Sequence, residues 1–177
     1  MIRYSRVRCA LCVVSGAAPT LADLHEASAA GDVGATYWQG MTQLAAAGPH
    51  VFLKISMLCY VRSPPRGPDP LDPQIRFTCG SCVSHPVPGQ IDPKWDESKL
   101  VRTTVARLLR IFGPERCFFA SNYPVDLLPS FGAWTPDKLY PAFLSLAREA
   151  LQTARLPCDD ATVRALFRDN ARRAYGV

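Results

Sequence analysis

Histidine is scarce in this chain of 177 residues: there are three, His25, His50 and His85, and no two are separated by a single residue. A catalytic zinc generally takes three protein ligands, so no His-x-His pair is present from which such a site could start. Acidic residues are missing from the first 22 positions, where Arg3, Arg6 and Arg8 precede the apolar run Cys9-Ala-Leu-Cys-Val-Val14. That order faintly imitates a targeting segment, but the run is short and ends at Ser15-Gly16, so a buried strand over 7–14 is the better reading. No stretch reaches the ~20 apolar residues that cross a bilayer, and no membrane partner is expected. The formal charge is +5, yet the basic residues are scattered among acids, with no basic stripe interleaved with aromatics. Nucleic acid is therefore not an expected partner.

What is present points to one globular domain, because 48% of the residues are hydrophobic and the length supports a buried core. The seven cysteines are an odd number without a clear secretory signal, which favours reduced thiols and a cytoplasmic location. They include two Cys-x-x-Cys pairs, Cys9/Cys12 and Cys79/Cys82, the second followed by His85. A structural zinc, a redox Cys-Gly-Ser-Cys and chance spacing all stay open for these pairs. Against a shared zinc, a three-residue step along a strand points Cys9 and Cys12 to opposite faces.

The order of elements is that of an α/β fold. Tyr37, Met41, Leu44 and Ala45 share a helical face that stops at Gly48-Pro49, and the strand His50–Met57 follows at once. In it Val51, Leu53 and Ile55 take one face and Phe52, Lys54 and Ser56 the other. Asp96 is expected to open a helix in which Leu100, Val101, Val105, Leu108, Leu109 and Phe112 recur at helical steps up to Gly113-Pro114. A second strand covers Arg116–Ser121. A helix starts at Thr135-Pro136, with Pro141 expected to kink or restart it. A last helix follows Asp159-Asp160 and carries Val163, Leu166, Phe167, Ala171 and Ala174. Between the two strands, residues 62–91 hold seven of the sixteen prolines and no apolar period, which marks an insertion or a functional loop.

Three segments carry a resemblance: Val51-Phe-Leu-Lys-Ile-Ser-Met-Leu58, Leu109-Arg-Ile-Phe-Gly-Pro-Glu-Arg-Cys-Phe-Phe-Ala-Ser-Asn-Tyr-Pro-Val-Asp126 and Leu166-Phe-Arg-Asp-Asn-Ala-Arg-Arg-Ala-Tyr175. They resemble consecutive blocks of the amidohydrolase-related, metal-dependent hydrolase family, which has a TIM-barrel fold. The resemblance implies a partial (β/α) TIM-like barrel, roughly its C-terminal half, with parallel strands and intervening helices. A complete barrel takes about 250 residues. The family's Ala-Tyr-x-Asp-Pro-x-Trp segment is here split into Cys59-Tyr-Val61 and Asp92-Pro-Lys-Trp95, so removing 62–91 restores the pattern. Translated intron sequence is one origin for such an insertion.

The resemblance also implies hydrolysis of a lactone, or of another cyclic ester or amide of a small carboxylate. In such barrels the reacting groups stand at the C-terminal ends of the strands. Asn122 occupies the position where similar proteins carry Asp or sometimes Asn, and it is the catalytic candidate; an amide cannot act as a general base. Asp126 could supply the carboxylate, or it could be a solvated loop acid. Lys54, Ser56, Tyr123 and Asp126 are the substrate-binding candidates, with a structural ion pair the bland alternative for Lys54 and a turn cap that for Asn122. No metal ligands are assigned, although the complete family fold accepts a divalent ion such as zinc. His50 precedes its strand and so belongs to the stability end. A non-catalytic remnant and a cysteine-based metal or redox module are the competing readings. Unpaired sheet edges predict association with a second copy or a complementing chain.

Overall fold

The computed structural model describes residues 8–12, 33–56, 58, 94–121 and 134–177. Its centre is a three-stranded sheet of β1 (Arg8–Cys12), β2 (Val51–Ile55) and β3 (Cys117–Phe119) in the order β1-β2-β3. Both pairings are parallel, with Leu53 opposite Cys117 and Ile55 opposite Phe119. The ladder runs one step further, where the Ala120 amide donates to the Ile55 carbonyl at 2.9 Å. Between β1 and β2 the register shifts at Ala10/Cys12.

Parallel strands require long crossovers, and helices fill the described parts of them. Helix α1 (Val33–Ala46) precedes β2, and α2 (Lys99–Phe112) precedes β3. Helix α3 (Pro136–Ala154) packs along α2. The short helix α4 (Asp160–Arg164) passes through one π turn, Ala165–Asp169, into α5 (Asn170–Tyr175). No helix among the described residues is long and apolar enough to cross a membrane.

Alternation along the strands sorts the core as the sequence pattern requires. Val51, Leu53, Ile55, Cys117 and Phe119 pack on the helical side with Val101, Val105, Leu108, Leu109 and Phe112 of α2 and with Phe143, Leu146, Ala147, Ala150 and Leu151 of α3. On the opposite face Phe52 and Phe118 form a smaller cluster with Ala174 of α5. The α2 stripe needs no tertiary information to be recognised, because its apolar residues recur at three- and four-residue steps.

Several local expectations are corrected. Helix α2 starts at Lys99 rather than Asp96: Ser98 is the N-cap, its hydroxyl accepting from the Val101 amide at 3.5 Å, while Asp96 sits in the 3₁₀ turn Trp95–Glu97. Serine caps as well as aspartate does, so composition alone could not choose between them. On α1, Leu44 is exposed and Trp38 takes its place in the core with Met41. Helix α3 continues through Pro141 instead of restarting. Proline there removes one hydrogen bond to the Asp137 carbonyl, near the helix start where both residues are exposed to water.

The loops between elements are tied by side chains acting on backbone. Arg116 donates from Nε to the Phe112 carbonyl at 2.8 Å, and from Nη1 to Ala45 at 2.8 Å and Gly48 at 3.1 Å. It therefore joins the C-terminal ends of α1 and α2, where orphan carbonyls and the negative ends of the dipoles lie. Gly113, at φ 80°, permits the turn between α2 and β3.

Candidate functional site

The C-terminal ends of β2 and β3 lie side by side, since the strands are parallel and the Ala120–Ile55 bond joins them there. Of the residues expected at this rim, Lys54 and Ser56 are described; Asn122, Tyr123 and Asp126 lie outside the described residues. Lys54 is half-buried, in register with Phe118 on one side and Cys12 on the other. It makes no hydrogen bond or ion pair among the described residues. Ser56 follows β2 directly and is fully buried. Ser121, the residue before Asn122, is exposed.

An aromatic wall stands behind this end of the sheet on the helical side. Phe119, the last residue of β3, stacks on Phe167 at 5.1 Å with an interplanar angle of 6°, and meets Phe143 at 5.5 Å. Phe143 lies 5.2 Å from Trp95, and Trp95 lies 5.1 Å from Trp134. Trp95 is buried, so the tryptophan that closes the split Asp92-Pro-Lys-Trp95 segment is a core anchor. Such offset and tilted pairs add to the area they bury. The sequence reading did not place Trp134, Phe143 and Phe167 in one cluster with Trp95, because their contacts span elements far apart in the chain.

Groups with shifted protonation lie elsewhere. Burial pushes the Tyr37 phenol up to about 12, and its hydroxyl has no hydrogen-bond partner among the described residues. Burial also holds the Cys117 thiol far above the ordinary thiol range, with a smaller contribution from the Glu115 carboxylate. Neither is poised for proton transfer near neutrality.

A divalent metal would draw its ligands from His, Cys, Asp and Glu side chains. His50 is exposed at the N-terminal end of β2, opposite the rim formed by the C-terminal ends of the strands, as expected from its position before the strand. Among the described residues no three His, Cys, Asp or Glu side chains come together. The described residues thus do not fit a divalent metal. His25, His85, Cys79 and Cys82 lie outside the described residues, as does the segment 62–91; of Cys9 and Cys12 only the strand backbone is described.

Asn170 is a residue the sequence reading did not single out. It is fully buried, and its amide donates to the carbonyls of Pro114 at 2.7 Å and Cys117 at 2.6 Å. Its Oδ1 accepts from Arg173 at 2.6 Å. This network fixes the start of β3 against the C-terminal helices. The signal was an Asn inside an apolar helical pattern, where a buried amide needs partners.

Comparison with known proteins agrees with the three sequence blocks. The family model described as Amidohydrolase matches residues 22–177. No curated protein and no solved structure matches the chain significantly. The match covers most of the sequence and includes the parallel β2–α2–β3 unit, Lys54, Ser56 and the C-terminal helices; the chain belongs to the amidohydrolase family.

Proposed function

We propose that the protein is a hydrolase acting on a lactone, or on another cyclic ester or amide of a small carboxylate, at the rim formed by the C-terminal ends of β2 and β3. The observation that carries this reading is Lys54: half-buried and unpaired among the described residues, one residue from the end of a parallel strand, inside the family match. In this reading its ammonium holds the substrate carboxylate, a charge-assisted contact that a desolvated site strengthens. Ser56 and Tyr123 complete the substrate contacts. Asp126 accepts the proton of the attacking water, and the Asn122 amide donates to the carbonyl oxygen as charge develops on it. Water adds to the carbonyl carbon, the ring C–O or C–N bond breaks, Asp126 passes the proton it accepted to the leaving oxygen or nitrogen, and the product is a hydroxy or amino acid whose new carboxyl group ionises.

The parallel strands and the helices that precede them support a TIM-like barrel arrangement, to which a second copy or a complementing chain contributes the remaining strands. A barrel closes every strand edge, and partner strands would supply that closure. Light scattering coupled to size exclusion tests this part, with a multiple of the 19.4 kDa chain mass expected and a stable monomer counting against it.

A non-catalytic family member is the second reading. It is favoured by His50 standing at the opposite end of β2 and by the lack of a metal-binding cluster among the described residues. Assay of the purified protein against a panel of carboxylated lactones and lactams separates the two. Turnover lost on Lys54→Met supports the hydrolase; a folded protein inert to the whole panel supports the second reading.

A further inference from the structure

At the N-terminal end of the sheet, opposite the proposed reacting rim, lies a cleft of about 410 Å³ bordered by Pro49, Phe52, Glu115, Arg116 and Arg173. Two guanidinium groups share it, and each is only partly used. Arginine has five N–H donors. Arg116 uses Nε and Nη1 on three carbonyls, which leaves Nη2 unspent among the described residues. Arg173 uses Nη2 on the Glu115 carbonyl and on Asn170 Oδ1, which leaves Nε and Nη1 unspent among the same residues.

Neither arginine forms an ion pair with a carboxylate among the described residues. Glu115 is the acid beside them, yet its carboxylate lies against Gly113, where an added Cβ would strike it. The guanidinium groups are thus held in place by neutral carbonyls, with two positive charges facing one negative. Phe52 adds an aromatic surface, 5.9 Å from the Arg173 Cζ.

We propose that this cleft binds a small oxyanion of the carboxylate or phosphate class between Arg116 and Arg173, with any apolar part of the ligand lying on Phe52 and Pro49. A free N–H donor from each guanidinium can meet an oxygen of such an anion, a charge-assisted contact from two sides. Because the groups are already fixed by their carbonyl bonds, little ordering is required when the ligand arrives. The site is separate from the reacting rim, so it stands whether or not the protein is a hydrolase.

The test is isothermal titration of the full chain, at low ionic strength, with inorganic phosphate and with benzoate in separate experiments. Saturable binding of either at one site per chain is expected, and the anion that saturates identifies the ligand class. Arg173→Gln is expected to weaken binding at least ~10-fold; Arg168→Gln, at an exposed position outside the cleft, leaves it unchanged. Because Arg173 also contacts Asn170, Glu115→Gln provides a second variant that keeps both arginines, and it is expected to tighten binding several-fold. No saturation by either anion overturns the proposal, as does equal affinity in the wild-type, Arg173→Gln and Glu115→Gln proteins.

Discussion

The Asn170 side chain reaches the carbonyl oxygen of Cys117 at 2.6 Å, joining the C-terminal helices to the first residue of β3 across 53 positions of sequence. The same amide nitrogen donates to Pro114. One buried side chain therefore satisfies two carbonyls at the entry to the strand whose far end leads to Asn122. Asn170→Ala leaves both carbonyls and the Arg173 donor without this partner. A loss of about 2–3 kcal/mol is expected from urea unfolding, in the range for orphaned buried polar groups. Stability within about 0.5 kcal/mol of wild type would show that water replaces the amide.

The acid side of the stability profile should carry a contribution from Asp159. Its Oδ1 accepts from the Thr162 amide at 2.7 Å, capping α4, and that bond lowers its pKa. A depressed folded-state pKa gives stability that is present above the unfolded value, about 3.9, and is lost as the pH falls through the folded value. Asp159→Asn keeps a capping oxygen but cannot titrate. Thermal unfolding between pH 2 and 6 should therefore fall less steeply for the variant; parallel curves would remove the cap from the account.

Cys117 should be unreactive in the folded protein. It is completely buried, and burial raises its thiol pKa, so thiolate is scarce and access is closed. Alkylation at pH 8 followed by peptide mapping should leave Cys117 unmodified under native conditions and modify it in denaturant. Cys158, only partly buried, serves as the internal comparison. Equal labelling of both in the native protein would mean that β3 opens readily.

At the proposed rim, Lys54→Met and Lys54→Arg separate charge from packing. The loss of a charge-assisted contact to the substrate carboxylate is expected to lower kcat/KM by ~10- to 100-fold in the Met variant. The Arg variant should recover part of it. Asp126→Asn should lower kcat with KM little changed, as removal of a general base does. An unaltered rate in Asp126→Asn assigns the proton transfer to another group.

Deleting residues 62–91 tests whether that segment is an insertion. The shortened chain should keep the α2 and α3 core, since the residues of both helices and of β2 lie outside it, and should unfold at a temperature no lower than the parent. A shortened chain that fails to fold would make the segment part of the domain.

Much of the architecture was legible because it rests on periodicity. The alternation in Val51–Ile55 assigned the two faces of β2, and the three- and four-residue recurrence in α2 assigned its buried stripe; both are reproduced in the core. The parallel pairing of β2 with β3 followed from the helix between them. Terminal details were not legible. Ser98 and Asp96 are equally good caps, and Leu44 and Trp38 are both apolar residues on a helix that has more than one plausible buried face.

The sequence by itself determined the helix and strand periods, the apolar faces and the membership in the amidohydrolase family, because each depends on residues near one another in the chain or on a block compared whole. Only the tertiary structure decided that Arg116 would clasp the ends of two helices, that Asn170 would hold the entry to β3, and that Trp95, Trp134, Phe143 and Phe167 would form one wall. A hydrogen bond or a ring contact depends on distance in space, and residues 53 or 71 positions apart carry no local pattern that announces their meeting.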